Sequence, residues 1–430
     1  MKTATRTKIL LAPDALVPQR DVLLDENAMR ERLAKNICKH GAADLKSCEI
    51  KRVKYRVAGN LRVLYEVRCG ELSLLVAART FDKNRGAFVC EESIKNAVSI
   101  SSARPVFYDD ELKTVFWTFP NDRKLNNLKI LQTVPGNLAE VAGKTWTTSR
   151  VAAYAPEKGA TAECLDAKGA TIAYAKIYAD DAGRNVYRTY NALNKILDGA
   201  NGLRLPRALC YSEVHRTLIL EAVEGRRIAD LDAGNLTDGY RKLGEAVALL
   251  HNIAPLEFLP EFARLKPARI ETALKIVKAA RPDISIQAEK LAKNLVNSFE
   301  FSDEQKVCLH GDVHPKNGIS GADGLRLIDL DQASSGAAAC DIGSFLASLI
   351  YKECIGEIST AKREEFSDAF LGGYGKNRRL PNEKAIKWHT TAAIFNERVL
   401  RSINRVRSEG LENLSDVLAA GEIILYGGGL

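Results

Sequence analysis

The chain has 430 residues, of which 46% are hydrophobic and 27% charged, with a formal net charge of +8. Its length supports two or three domains with a sizeable core, and its composition is that of an ordinary globular protein, outside the disordered and fibrous classes. Lys and Arg are spread along the chain instead of gathered in runs, which suits small anionic ligands, and no nucleic-acid partner is expected.

The nine cysteines form no C-x-x-C pair and are irregularly spaced, so they suggest neither a zinc site nor a disulfide framework. They read as small core residues in a reduced, cytoplasmic protein. Pro13 and Asp14 interrupt the apolar run after Lys2, Arg6 and Lys8 too early for a signal peptide. No apolar stretch approaches the roughly eighteen residues of a membrane span, and no membrane partner is expected. The sequence carries no mark of oligomeric state.

In chain order, residues 27–40 predict a helix. Arg52 to Tyr55, Leu61 to Arg68 and Leu72 to Phe81 predict three strands turned at Gly59 and Gly70. Residues 105–119 predict a hairpin with Asp109 and Asp110 at its turn. A second cluster follows, with strands at Val151 to Tyr154, Ala160 to Leu165 and Thr171 to Tyr178, a helix at 182–198, and extended runs at 208–211 and 217–222. Tyr55, Gly59, Gly70 and Arg79 are spaced much like Tyr154, Gly159, Gly169 and Lys176. Two readings stand, a weak internal repeat or two β-meanders with similar turns, and the second is the plainer. From about 235 helices dominate: 238–252, 256–300, 360–373 and 383–408, the last as one long helix or two short ones. Between them lie apolar strands at 306–309 and 325–330. No flexible linker separates these parts.

The chemistry concentrates at His310-Gly311-Asp312-Val313-His314-Pro315-Lys316-Asn317 and Ile328-Asp329-Leu330-Asp331. The first run leaves a strand end, turns through Gly318 to Gly324, and returns as a strand that brings Asp329 beside Asn317. An Asp that orients and deprotonates a hydroxyl, plus an Asn and a second Asp that hold Mg²⁺ on ATP phosphates, is the set a kinase-type phosphotransferase needs. Asp312 is the candidate base, and Asn317 and Asp329 are the candidate metal ligands. Asp331 is either a water-mediated helper or a turn residue. A chance H-G-D loop is the bland alternative. The Asn at +5, the I-D-x-D strand end and Asp341 opening an apolar helix weigh against it.

These residues, together with Leu327 to Asp331, Asp341-Ile342-Gly343, Leu243 to His251 and Leu220 to Arg226, resemble the aminoglycoside phosphotransferase and choline kinase-like family. The resemblance covers about residues 150–350. It implies an α+β, protein-kinase-like bilobal fold, with a small antiparallel β lobe, a mainly helical lobe and, here, an N-terminal α/β accessory domain. The division expected is 1–145 accessory or cap domain, 146–225 nucleotide-binding lobe, and 226–430 helical lobe with the catalytic loop and acceptor site. Residues 1–145 faintly resemble the cap of maltokinase-like enzymes. They read either as a degenerate nucleotide lobe used as a lid or as a packing domain.

By the same resemblance, Asp341 and His310 are structural, and His314 supports the loop. Lys176 sits where kinase-like folds carry the lysine that grips the α- and β-phosphates. Adenine bonds backbone groups from Glu221 to Val223. The chain departs from the pattern twice. The phosphate-covering turn, Pro156-Glu157-Lys158-Gly159, has one glycine, which leaves Lys158 and the tight hairpin at Gly159 to meet phosphates. Helix 182–198 has no Glu to pair with Lys176, so Asp180 or Asp181 would have to substitute.

The expected activity is transfer of the ATP γ-phosphoryl group, with Mg²⁺, to a hydroxyl of a sugar, amino sugar or amino alcohol. The alternatives are a non-catalytic kinase-fold binder and an antibiotic phosphotransferase. Arg398, Arg401 and Arg405 read as one basic helix face, which either holds an anionic substrate or, more usually, is simply solvated.

Overall fold

Runs rich in Val, Leu and Tyr with alternating burial build two antiparallel sheets. The computed structural model describes residues 10–37, 45–82, 85–100, 103–141, 143–198, 202–299, 305–322, 324–427 and 429. The N-terminal basic residues and the last three residues of the helix expected at 27–40 lie outside these. The first sheet has the order Leu45–Arg56, Asn60–Cys69, Leu72–Thr80, Thr114–Thr118, Val106–Asp109. The second has the order Thr148–Ala155, Gly159–Leu165, Thr171–Tyr178, Thr217–Glu221, Ala208–Ser212.

Numbered by chain position, both sheets run 1-2-3-5-4. Each places a helix between its third and fourth strands, Arg85–Lys95 in the first and Ala182–Ile196 in the second. Gly70 and Gly169, at the second turn of each meander, are both left-handed, with φ of 61° and 79°. Arg79 and Lys176 each pair with the third residue of their middle strand, Arg62 and Thr161. The repeat suggested by spacing is therefore present as shared topology and register. Helix Arg85–Lys95 has no counterpart in the sequence reading, because Gly86 and a mixed-charge surface blunt its pattern.

The chain divides into two compact units. One holds the described residues up to Asp181 with Tyr211–Ile219 and Ile403–Ser408. The other holds Ala182–Cys210, Leu220–Ser402 and the described residues from Glu409 on.

The second unit is mainly helical. Ala233–His251 packs along Thr360–Asn377 over a core that includes Phe345, Phe370 and Tyr374. Helix Ala339–Cys354 is buried along nearly its whole length, as its apolar sequence requires. The helical region expected at 256–300 begins only at Pro267 and breaks at Pro282, giving Pro267–Ala280 and Ser285–Asn297. Both prolines sit in first turns, where the missing N–H costs nothing. Gly318 to Gly324, read as a turn, is instead strand Gly318–Gly321 paired with Gly324–Leu327. Its two end glycines hide the strand signal. The segment 383–408, expected as one long helix or two short ones, is built as Glu383–Ala393 and Leu400–Arg405 joined by a π-helical stretch, Ile394–Val399. Arg398 therefore shares no continuous α-helical face with Arg401 and Arg405. Among the described residues, no helix is long and apolar enough to cross a membrane.

Candidate active site

Strand Lys306–Leu309, paired with Ser334–Ala337, delivers the chain to His310. The loop that follows is fixed by one carboxylate. Asp341, in the first turn of helix Ala339–Cys354, is 1% exposed. Its Oδ2 accepts from the His310 N–H at 2.7 Å and its Oδ1 from the Gly311 N–H at 2.9 Å. His251 Nε2 lies 3.2 Å from Oδ2, and His251 Nδ1 is 3.0 Å from the Tyr374 hydroxyl. Burial alone would raise the Asp341 pKa, but His251 and these N–H donors hold it below the ordinary carboxylate value. Gly311 is left-handed at φ 76°, and a Cβ there would lie 2.0 Å from the Gln332 carbonyl oxygen. No other residue fits without moving that turn.

His310 Nδ1 accepts from the Asp312 N–H at 3.3 Å, and Nε2 lies 3.0 Å from the Ile328 carbonyl. A neutral ring with its proton on Nε2 meets both contacts and ties the 310–317 loop to Ile328, just beyond strand Gly324–Leu327. Asn317 closes a second tie. Its Nδ2 donates to the Asp312 carbonyl at 3.0 Å, and its own carbonyl accepts from the Ile328 N–H at 2.9 Å. The structure thus brings Asp312, Asn317 and the residue before Asp329 into one hydrogen-bonded cluster. The Asp312 side chain stays about one-third exposed, open to a reactant. His314 Nδ1 accepts from the Lys316 N–H at 3.2 Å and caps the short turn Pro315–Asn317. Its Nε2 is 3.7 Å from Asp312 Oδ2, beyond a hydrogen bond, and burial pushes its pKa down.

Asp329 is left-handed, with φ 65° and ψ 60°, a conformation that costs a side-chain-bearing residue about 1–2 kcal/mol. Tyr190, fully buried on helix Ala182–Ile196, holds it there. The tyrosine oxygen accepts from the N–H of Asp329 at 3.0 Å and of Leu330 at 3.4 Å.

The residues expected to meet the nucleotide are spread over both compact units. Lys176 lies half-buried in Thr171–Tyr178 opposite Thr161. Lys158 is exposed beside Gly159, where a Cβ would lie 2.7 Å from the Ile177 carbonyl oxygen. Glu221 ends its strand with its N–H donated to Arg207 O at 2.9 Å and its carboxylate held by the Arg207 N–H and Nε, each at 3.0 Å. Val223 follows in the connection out of the sheet. Asp181, a proposed stand-in for the missing helix Glu, lies 3.3 Å from Arg216 Nε.

Residues 174–387 match the model of the phosphotransferase enzyme family. That segment is a phosphotransferase domain. It contains the 310–317 loop, Asp329, Asp341 and the helices that hold them. Solved structures resemble the chain more loosely. Choline kinase from Cryptosporidium parvum Iowa II is 15% identical, over 71% of this chain and 97% of its own, with a TM-score of 0.46. The macrolide 2'-phosphotransferase MphH from Brachybacterium faecium is 15% identical, over 70% and 99%, with a TM-score of 0.42. The gentamicin complex of APH(2")-IIa is 14% identical, over 65% and 93%, with a TM-score of 0.45. No curated protein matches the chain.

Three features of the phosphotransferase domain and its surroundings left no sequence signal. Tyr190 is one helix residue among many. Glu157, in the turn before Gly159, is 8% exposed and left-handed at φ 62°. Its carboxylate accepts from Arg79, from Arg62 at 3.0 Å, and from Arg123 Nε and Nη2 at 2.6 and 3.1 Å. Asp122 completes the grip, accepting from the Glu157 N–H at 2.9 Å and the Tyr154 hydroxyl at 2.6 Å. Arg398, expected either to hold an anionic substrate or, more usually, to be solvated, is largely buried, with a side chain 14% exposed. Burial pushes its pKa down to about 10, against the opposing pull of Glu397.

Proposed function

We propose that the chain transfers the γ-phosphoryl group of ATP to a hydroxyl of a small molecule, a sugar, amino sugar or amino alcohol. The observation that carries this reading is the cluster of Asp312, Asn317 and Ile328, the residue before Asp329, held through His310 and braced by buried Asp341. Asp312 orients the acceptor hydroxyl and takes its proton as the phosphoryl group leaves ADP. The role is mostly positioning, since the transition state is loose.

Asn317 and Asp329 would hold Mg²⁺. One amide oxygen and one carboxylate, completed by phosphate oxygens, suit a hard cation, and the Asn317 Nδ2 bond to Asp312 leaves its Oδ1 available. When bound, the ion would supply charge neutralisation at the phosphates. Lys176, Lys158 and Gly159 would meet the phosphates. The Glu221 carbonyl and Val223 N–H would meet adenine, the Glu221 N–H being already spent on Arg207. In this reading residues 146–225 bind the nucleotide, 226–430 supply the catalytic loop and acceptor site, and 1–145 are an accessory domain. The described cysteines are free thiols, which suits the cytoplasm as its place of work.

One observation favours a second reading, a non-catalytic binder. The turn that should cover the phosphates is pinned through Glu157. Against it, a binder has no physical need for Asp312, Asn317 and Asp329 together. The test is ADP release from Mg-ATP over a panel of sugars, amino sugars and amino alcohols, with D312N alongside. The expected result is release that depends on one compound class and is abolished in D312N, with Mg-ATP affinity kept within several-fold. A fully active D312N would overturn the mechanism.

A further inference from the structure

The π-helical stretch Ile394–Val399 presents two adjacent charged residues to the interior of the second unit, Glu397 and Arg398. Stretches of this kind are uncommon and concentrate at functional positions. Glu397 is 5% exposed. Its Oε2 accepts from the Ser344 hydroxyl at 2.6 Å, and its Oε1 lies 3.4 Å from Arg264 Nη1. Arg398 Nη2 donates to the Ser344 carbonyl at 2.9 Å and lies 3.7 Å from Glu397 Oε2. The Arg264 guanidinium also rests on the Phe262 ring, 5.0 Å from its centroid.

One buried carboxylate therefore stands between two guanidinium groups, which leaves the cluster one positive charge in excess. Among the described residues, Arg398 Nε and Arg264 Nη2 are buried with no hydrogen-bond partner, as are the neighbouring acceptors Glu397 Oε1 and Asn396 Oδ1. A buried, unspent guanidinium N–H is costly, and one arginine would suffice for one glutamate. The second guanidinium answers to something else. Arg398 is tied to the Ser344 carbonyl of helix Ala339–Cys354, the helix whose Asp341 holds the His310 and Gly311 N–H groups next to Asp312. Arg401 adds a further positive charge to the same neighbourhood.

We propose that the acceptor carries, besides its hydroxyl, a carboxylate or phosphate that Arg264 and Arg398 bind. The inference rests on the kinase reading and narrows its acceptor class. The two fixed forks match the geometry of a carboxylate or phosphate, and binding the anion would set the hydroxyl against Asp312. In the transfer step the acceptor oxygen bonds to the γ-phosphorus and the bond from that phosphorus to the β–γ bridging oxygen breaks. ADP carries away that electron pair and Asp312 takes the hydroxyl proton. The acceptor's own anionic group is unchanged. The arrangement weighs against polycationic acceptors such as aminoglycosides, which two guanidinium groups would repel.

The test is acceptor-dependent ADP release with matched sets of hydroxy acids, phosphorylated sugars and neutral analogues of the same skeletons. Wild type, R398Q, R398K and R264Q are compared, and KM is measured separately for ATP and acceptor. The expected result is that one anionic set exceeds its neutral analogue in kcat/KM by about tenfold or more. R398Q and R264Q should raise the acceptor KM by a similar factor with little change for ATP, and R398K should recover part of it. The set that responds tells carboxylate from phosphate. Preference for neutral or cationic acceptors overturns the proposal. So does an R398Q effect confined to the ATP KM, which would place Arg398 on the nucleotide. If no compound turns over, inorganic phosphate and acetate are titrated calorimetrically into wild type and R398Q. Binding lost in R398Q upholds the anion site while the kinase reading fails, and binding absent or unchanged overturns the site.

Discussion

Replacing Glu157 by Gln tests the largest charge arrangement outside the catalytic loop. Burial by itself would raise the Glu157 pKa. The hydrogen bonds and charges of Arg123 and Arg79 reverse that and hold it at about 2, against an ordinary 4.5. A drop of that size corresponds to about 3 kcal/mol of interaction favouring the charged form. Gln keeps an acceptor oxygen but removes the charge, and leaves Arg62, Arg79 and Arg123 facing one another around a neutral amide. E157Q is therefore expected to cost the first unit about 3 kcal/mol, within the usual range for breaking a buried pair from one side. Because the folded pKa is the lower one, this stability is complete above pH 4.5 and is lost as pH falls through about 2.

The assay is urea unfolding of the full chain at neutral pH and through that acid range. A double-mutant cycle with R123Q isolates the pair. R123Q should be costly in the wild type and nearly free in E157Q. A midpoint change worth less than about 0.5 kcal/mol for E157Q, or equal R123Q costs in both backgrounds, would refute the argument.

Two further perturbations probe the second unit. Y190F removes the acceptor for the Asp329 and Leu330 N–H groups and should cost about 1–3 kcal/mol in stability. By letting Asp329 leave its left-handed conformation, it should also lower kcat at least about tenfold, with the acceptor KM little changed. Wild-type kcat in Y190F would show that Asp329 holds its conformation without the tyrosine. His389 is held neutral by burial, with a pKa pushed down to about 4 from 6.5. The unfolded chain takes up that proton first as pH falls, so about 3 kcal/mol of stability should disappear between pH 6.5 and 4. H389Q should flatten that part of the thermal-unfolding profile, and an unchanged slope would assign the acid loss to other groups.

What the sequence made legible and what it hid have a common cause. The proposed catalytic set is legible because it lies within residues 310–341, where loop, strand and helix start are near neighbours in the chain. Asp341, 31 and 30 residues from the N–H groups it holds, is the farthest member of that set. Tyr190 is 139 residues from Asp329, and Glu157 lies 95, 78 and 34 residues from its three arginines. No local pattern marks such partners, because a tyrosine or glutamate in a helix or turn is ordinarily solvated. The solvated reading of Arg398 fails for a related reason. A regular helix over 383–408 gives it an exposed face, and only the π-helical stretch turns it inward. Strand positions fared better than strand ends, since alternation fixes the pairing face while glycines such as Gly318 and Gly321 blur where pairing stops.

The shared 1-2-3-5-4 order gives the Glu157 cluster a second meaning. In the second sheet, the position opposite the third residue of the middle strand carries Lys176, the residue proposed to grip phosphates. In the first sheet the same position carries Arg79, and it grips Glu157. A lysine is a compact point charge suited to phosphates, whereas an arginine fork suits a carboxylate and stays charged when half-buried. The first sheet thus shares the strand order of the sheet proposed to bind the nucleotide, but its cation is committed to a carboxylate in the turn just ahead of Gly159. Its Arg62 partner, opposite Arg79 in the middle strand, is committed to the same carboxylate. A phosphate-binding cation and a clamped turn are alternative uses of one position. By the bonds it makes, the N-terminal sheet serves as a brace on the turn that the second sheet would lay over phosphates, and a second nucleotide site built on Arg79 would have to give up that brace.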